Sequence, residues 1–218
     1  MQSEAIHAVM AVLKDECRQW ATPAVTVIAE RLRNPYTVLI SCVISLRTRD
    51  AVTAQASARL FERAREPATM VLLSENEIAD LIYPAGFYLT KARQIKAMSQ
   101  RLLDEHAGQV PSDLDQLIRL NGVGRKTANL VVTLGYGLPG ICVDIHVHRI
   151  TNRWGYVTTR SADQTEMVLR EILPPKYWIE FNDLLVCFGQ NCCLPVSPVC
   201  SVCSLISWCG RVGVGRSR

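Results

Sequence analysis

Two stretches of this 218-residue chain carry residue types at spacings suited to chemistry. The first reads Leu120-Asn-Gly-Val-Gly-Arg-Lys-Thr-Ala-Asn129. Gly122 and Gly124 let a backbone turn tightly and approach a ligand without Cβ interference. A helix that begins at such a turn points its free N–H groups and the positive end of its dipole outward. That geometry suits a DNA phosphate and carries no sequence information. A plain helical hairpin uses the same glycines, so the turn alone decides nothing. Lys126 adds to it, because a cation in a first helical turn opposes the dipole and loses stability. A residue that breaks a local rule is a candidate for function. The same field, with partial burial, favours the neutral form of an amine, which is the nucleophilic form. Arg125 acts in the same direction. Gly122, Val123, Gly124, Arg125 and Thr127 are the expected DNA-contacting set of this hairpin.

Asp144 follows Lys126 by eighteen residues and stands at a helix N-cap position ahead of Ile145-His-Val-His-Arg149. Capping alone explains an aspartate there. The intervening chain has room for the rest of the Lys126 helix, a Gly137-Leu-Pro-Gly140 turn and a short return. Amine and carboxylate could then face one cleft. His146 and His148 are two apart and so lie on different helix faces; His146 is the one expected near Asp144, with a solvated or capping histidine as the plain alternative.

The second stretch is Cys193-x6-Cys200-x2-Cys203-x5-Cys209. Four cysteines within 17 residues, interleaved with Pro195 and Pro198, suggest a loop around a metal group rather than a packed helix. Thiolates in this number bind Zn²⁺ or a [4Fe–4S] cluster. Zinc sites more often use two short C-x2-C pairs and only one exists here, yet spacing alone leaves both open. Cys192 competes for the first ligand position, and Cys193 fits the spacing better.

The elements that must position these residues are helical. Ile6, Val9, Met10, Leu13, Cys17 and Trp20 form one apolar stripe. Pro35 opens a segment that is apolar nearly all round, so a buried central helix is expected from Pro35 to Leu46. Asp50 is expected to cap a helix over Ala51–Arg63. Further helices are expected at 74–82, 90–106, 112–120, 145–154, 162–173 and 176–188. No alternating strand pattern and no solenoid repeat appears. The class is all-α, about ten helices joined by short loops.

Composition agrees with a folded core and excludes a disordered or collagen-like chain: 49% of residues are apolar and 20% charged. The net charge of +4 permits a nucleic-acid partner without demanding one. It is unevenly spread: no Asp or Glu follows Asp183, while Arg211, Arg216 and Arg218 close the sequence. The start lacks the basic and apolar regions of a signal peptide, so the nine cysteines are expected in a reducing, cytoplasmic setting. Residues 184–210 are uncharged and long enough to cross a bilayer. Six cysteines, two prolines and four serines within them argue against a lipid-facing helix, so no membrane partner is expected.

Taken in order, the hairpin, the Val143-Asp-Ile-His-Val-His-Arg149 stretch and the four-cysteine tail closely resemble the endonuclease III family of helix-hairpin-helix DNA glycosylases, from about Asn34 to Cys209. The resemblance implies two helical domains with the active site in the cleft between them. A six-helix barrel at 28–138 would carry the hairpin (112–135), and 1–27 with 139–218 would form the iron–sulfur domain. It implies a [4Fe–4S] cluster on Cys193, Cys200, Cys203 and Cys209, a monomer, and base-excision repair in the cytoplasm, nucleoid-associated when on DNA. The substrate would be double-stranded DNA with oxidised pyrimidines or abasic sites, Lys126 the nucleophile and Asp144 its carboxylate partner.

Three positions depart from the family. Arg47 stands in Ser45-Leu-Arg-Thr-Arg-Asp50 where members often place a gap-filling Gln. Its guanidinium can still donate to an orphan base. Phe87 stands where the family has an apolar wedge; its ring could intercalate or pack in the core. The loop Leu194-Pro-Val-Ser-Pro-Val199 lacks the basic residues some members carry. Two further readings stay open on the residues alone: a monofunctional adenine or mismatch glycosylase, and a non-catalytic module that grips damaged DNA.

Overall fold

Asn34 accepts a hydrogen bond from the Tyr36 N–H at 2.8 Å, and Pro35 supplies a pre-set first-turn φ. Together they start a helix whose residues Tyr36–Ile44 are all buried. In the computed structural model, which describes residues 3–218, this segment is the centre of one of two compact units. That unit is Ala24–Gly140; the other joins the chain up to Pro23 with Ile141–Arg218. Met1 and Gln2, the start of the expected N-terminal segment, lie outside the described residues.

The first unit contains α2 (Ala24–Leu32), α3 (Pro35–Ser45), α4 (Asp50–Arg63), α5 (Pro67–Met70), α6 (Glu75–Ile82), α7 (Tyr88–His106), α8 (Leu114–Ile118) and α9 (Arg125–Leu130). Alpha-helix α9 runs on into one π-helical turn, Val131–Gly135. Helices α2, α4, α7 and α9 all pack on α3. Ser74 and Glu77 make a reciprocal capping box at the start of α6. Two short helices, α2 and α5, go beyond the sequence reading, although Val25, Ile28, Ala29 and Leu32 hold a helical spacing. The expected cap by Asp50 is not made. Asp50 is the first residue of α4, and its Oδ2 accepts the Ala24 N–H at 2.8 Å. It therefore caps α2, satisfying a donor at the start of a different helix.

The second unit contains α1 (Ile6–Cys17), α10 (Ile145–Trp154), α11 (Ala162–Ile172) and α12 (Trp178–Asn191). Ile6, Met10 and Leu13 of α1, Ile150 and Trp154 of α10 and Phe181 of α12 share one core. After α12 the chain has only short 3-10 turns, Cys200–Val202 and Ile206–Trp208. Among the described residues there is no strand, and no helix is long and apolar enough to cross a membrane.

Candidate functional site

The hairpin of the first unit is built by backbone constraints. Asp113 caps α8 by accepting the Gln116 N–H at 3.0 Å. Gly122 has φ +83°, a left-handed conformation that L side chains rarely adopt. A Cβ there would also collide with the Gln94 amide of α7. Gly124 differs from the expectation: its φ of −90° suits any residue. What it contributes is open space, since nothing lies within 4 Å of a Cβ built on it. It is the N-cap of α9, and its carbonyl accepts the Ala128 N–H at 2.9 Å. Lys126 is therefore the second residue of a helix that starts at an unobstructed turn. Its side chain is exposed, so the partial burial expected from sequence is absent. Val123 and Thr127 are buried and Arg125 is half-buried. Val123 and Thr127 thus anchor the turn from inside, leaving the glycines and the two basic residues outward.

Arg47 and Phe87, forty residues apart, meet in this unit. The Arg47 guanidinium stands 5.5 Å from the Phe87 ring centroid, a cation–π distance. Both residues are left-handed, with φ +52° and +57°. Strain of this kind costs about 1–3 kcal/mol per residue and persists only where surroundings enforce it. Phe87 is 63% exposed, which overturns the core-packing alternative. Gly86 lies so close to the Arg47 carbonyl that any Cβ there would overlap it. Its N–H donates to Thr48 Oγ1 at 3.0 Å.

In the second unit Asp144 is 7% exposed and is the N-cap of α10. Its Oδ1 accepts the His146 and Val147 N–H groups at 2.8 and 2.9 Å. The carboxylate is thus pre-oriented at the positive end of a ten-residue helix. His146 is half-buried, and its Nδ1 lies 3.1 Å from Arg149 Nη2. Its ring also sits where a Cβ on Gly189 would be. The structure therefore ties His146 to α12 as well as placing it beside Asp144.

Cys193, Cys200, Cys203 and Cys209 are each half-buried and line one cavity together with Cys192, Arg153 and Trp154. Among the described residues no cysteine is in a disulfide, and no three His, Cys, Asp or Glu converge on a single-ion site. N–H donors meet the sulfurs: Arg153 Nη1 to Cys193 at 3.4 Å and the Arg211 N–H to Cys209 at 3.4 Å. The neighbouring Cys192 thiol holds the Cys203 thiol below its ordinary value, while burial pushes Cys209 up. Cys192 is buried, and its thiol donates to the Val199 carbonyl at 3.7 Å. Four cysteines around a common cavity, two of their sulfurs met by N–H donors that stabilise thiolates, fit a thiolate-held metal cluster.

Sequence reasoning missed two arginines one turn apart on α10. Arg149 Nη2 donates to the carbonyls of Gly189 and Cys193 at 3.2 and 2.9 Å. Arg153 donates to Leu194 and Pro195 carbonyls at 2.7 and 2.8 Å. The helix capped by Asp144 therefore also holds the entry to the cysteine loop. Their spacing of four was visible, but no sequence signal identified their acceptors.

Comparison with known proteins gives the following. Residues 40–175 match the HhH-GPD superfamily base excision DNA repair protein family. The chain is 43% identical over 188 residues to endonuclease III of Thermotoga maritima, covering 85% of this chain and 88% of that protein. It is 41% identical over 171 residues to endonuclease III-like protein 1 of Bos taurus, covering 77% of this chain and 56% of that protein's length. The structure of a non-covalent endonuclease III–DNA complex superposes with a TM-score of 0.84 at 31% identity, covering 97% of this chain and 96% of that one.

Proposed function

The chain belongs to the helix-hairpin-helix superfamily of base excision DNA repair proteins and, within it, to the endonuclease III family, and from that premise we propose that Lys126 is the nucleophile that joins base removal to strand cleavage. The protein is a base-excision-repair DNA glycosylase and abasic-site lyase. The observation that carries the assignment is the position of Lys126: second in a helix that opens at the unobstructed Gly124 turn.

The target nucleotide must leave the stack before a side chain can reach its sugar. Lys126 Nζ, as the neutral amine, then bonds to C1′ while the C1′–N bond to the base breaks. The base departs with the bonding electrons and is protonated. Asp144 takes the amine's proton and stabilises positive charge on the sugar. The C1′–O4′ bond then breaks, O4′ taking the bonding electrons and a proton, and the resulting open-chain Schiff base at C1′ makes a 2′ proton acidic. Its loss forms a C2′–C3′ double bond and expels the 3′ phosphate. Water then releases Lys126. A site that kept only the carboxylate would activate water and would have no covalent route to the nick.

The hairpin N–H groups and Arg125 hold backbone phosphate, which positions the duplex without reading it. Arg47 and Phe87 enter the space vacated by the extruded nucleotide. The substrate is duplex DNA bearing an oxidised pyrimidine or an abasic site. Cys193, Cys200, Cys203 and Cys209 hold a [4Fe–4S] cluster, which when bound cross-links the loop after α12. Arg149 and Arg153 orient that loop through its carbonyls.

The test is a panel of duplexes, each with one lesion, with base release and nicking scored separately. Release and nicking should rise in step for oxidised pyrimidines. Release without nicking would favour a monofunctional glycosylase, and tight binding with neither would favour a binding module.

A further inference from the structure

Lys91 is a buried basic side chain near the proposed wedge, and the reaction above makes no use of it. It is 4% exposed, in the first turn of α7. Its Nζ donates to the Ile44 carbonyl at 2.6 Å, the Leu46 carbonyl at 2.6 Å and Thr48 Oγ1 at 2.8 Å. An ammonium has three donors, so all are committed inside the protein and none is left for a phosphate. The three acceptors bracket Arg47 on both sides, at the end of α3. Thr48 Oγ1 also receives the Gly86 N–H, next to Phe87. The Lys91 backbone N–H closes the set by donating to the Phe87 carbonyl at 3.0 Å.

We propose that Lys91 is a positioning residue for extrusion of the damaged nucleotide, tying the end of α3 to the start of α7 so that Arg47 and Phe87 enter DNA as one pre-stacked unit. The inference rests on the wedge reading of those two residues given above. A buried ammonium is costly to hold, and burial alone pulls this one down to about 8. A hydrophobic side chain would fill the volume without that cost. It would leave the Ile44 and Leu46 carbonyls without this donor and Thr48 Oγ1 with one bond fewer. Two left-handed residues in facing loops would then lose the bonds that hold them together. A wedge that is ordered before it meets DNA has less freedom to lose on insertion.

The test compares wild type, Lys91→Met, Thr48→Val and the Arg47→Ala/Phe87→Ala double variant as full-length, cluster-loaded protein. Two substrates are used: a duplex with one oxidised pyrimidine opposite 2-aminopurine, and a single-stranded oligonucleotide with one abasic site, which needs no wedge. Lys91→Met should slow the 2-aminopurine fluorescence rise and lower duplex kcat by about ten-fold or more, the scale expected of a misplaced positioning group. Its KM, and nicking of the single strand, should stay within about two-fold. Thr48→Val, which removes the Lys91 and Gly86 bonds to one hydroxyl but leaves the two carbonyl bonds of Lys91, should show a smaller loss of the same kind and keeps the test alive if Lys91→Met fails to fold. Equal losses on both substrates would make Lys91 merely structural and overturn the proposal. Wild-type rates for Lys91→Met and Thr48→Val beside a slow double variant would overturn it while leaving the wedge reading intact. Wild-type rates for the double variant would overturn both.

Discussion

The hairpin unit and the cysteine-loop unit hold their functional residues in opposite ways. In the hairpin unit, exposed groups stand on backbone turns locked from beneath: Gly122 against Gln94, Gly86 against Arg47, and buried Lys91 under two strained loops. The helices below are satisfied by their own core. In the cysteine-loop unit, the segment after α12 has little regular structure, and of its apolar side chains beyond the cysteines only Pro198 and Leu205 are buried, with Trp208 packed against the core. Two arginines of α10 hold its entry, the Gly210 and Val212 N–H groups bond to carbonyls at the end of α10, and four thiols line a cavity within it. The first unit stores its geometry in the chain, whereas the second, on the proposed reading, also relies on a bound cluster. A small loop with few buried apolar residues lacks the means to hold itself.

Four substitutions press on that contrast, in falling order of effect. Cys203→Ala should release the whole loop, at a local cost above about 3 kcal/mol, because metal binding is folding free energy in such segments. Hydrogen exchange should rise across 193–210 and stay unchanged in 35–45; equal exposure of both would dissolve the contrast. Arg153→Ala removes a charged donor from two carbonyls and a sulfur, with a cost of about 2–3 kcal/mol. Limited proteolysis should then cut near Leu194 before any site in the hairpin unit. Gly122→Ala forces a left-handed alanine, at about 1–2 kcal/mol, and displaces Gln94. Its signature should be weaker binding to undamaged duplex together with a fall of a few degrees in thermal midpoint. Ser74→Ala breaks the capping box of α6 and should cost about 1 kcal/mol in denaturant unfolding, with DNA binding intact.

What sequence could show divides along similar lines. The start of α3 at Pro35, the Gly122 turn, the Asp144 cap and the cysteine spacing are local, so residue type and position nearly determine them. Asp50 shows the limit. A carboxylate ahead of Ala51 reads as a cap for its own helix, yet tertiary packing turns it toward Ala24. The Arg47–Phe87 contact, the three acceptors of Lys91 and the carbonyls met by Arg149 and Arg153 all depend on how helices pack. No spacing along the chain encodes them. The exposure of Lys126 belongs to the same group: the hairpin pattern locates the residue, and only the fold shows how far solvent reaches it.

The central claim is that Lys126 forms the covalent bond to DNA. Borohydride added during turnover reduces a Schiff base to a stable amine and freezes the adduct, which peptide mapping by mass spectrometry then locates. The account predicts one adduct, on the peptide containing Lys126, with neither adduct nor nick in a Lys126→Ala protein that still binds the duplex. An adduct on another amine, or strand cleavage retained by Lys126→Ala, would contradict it.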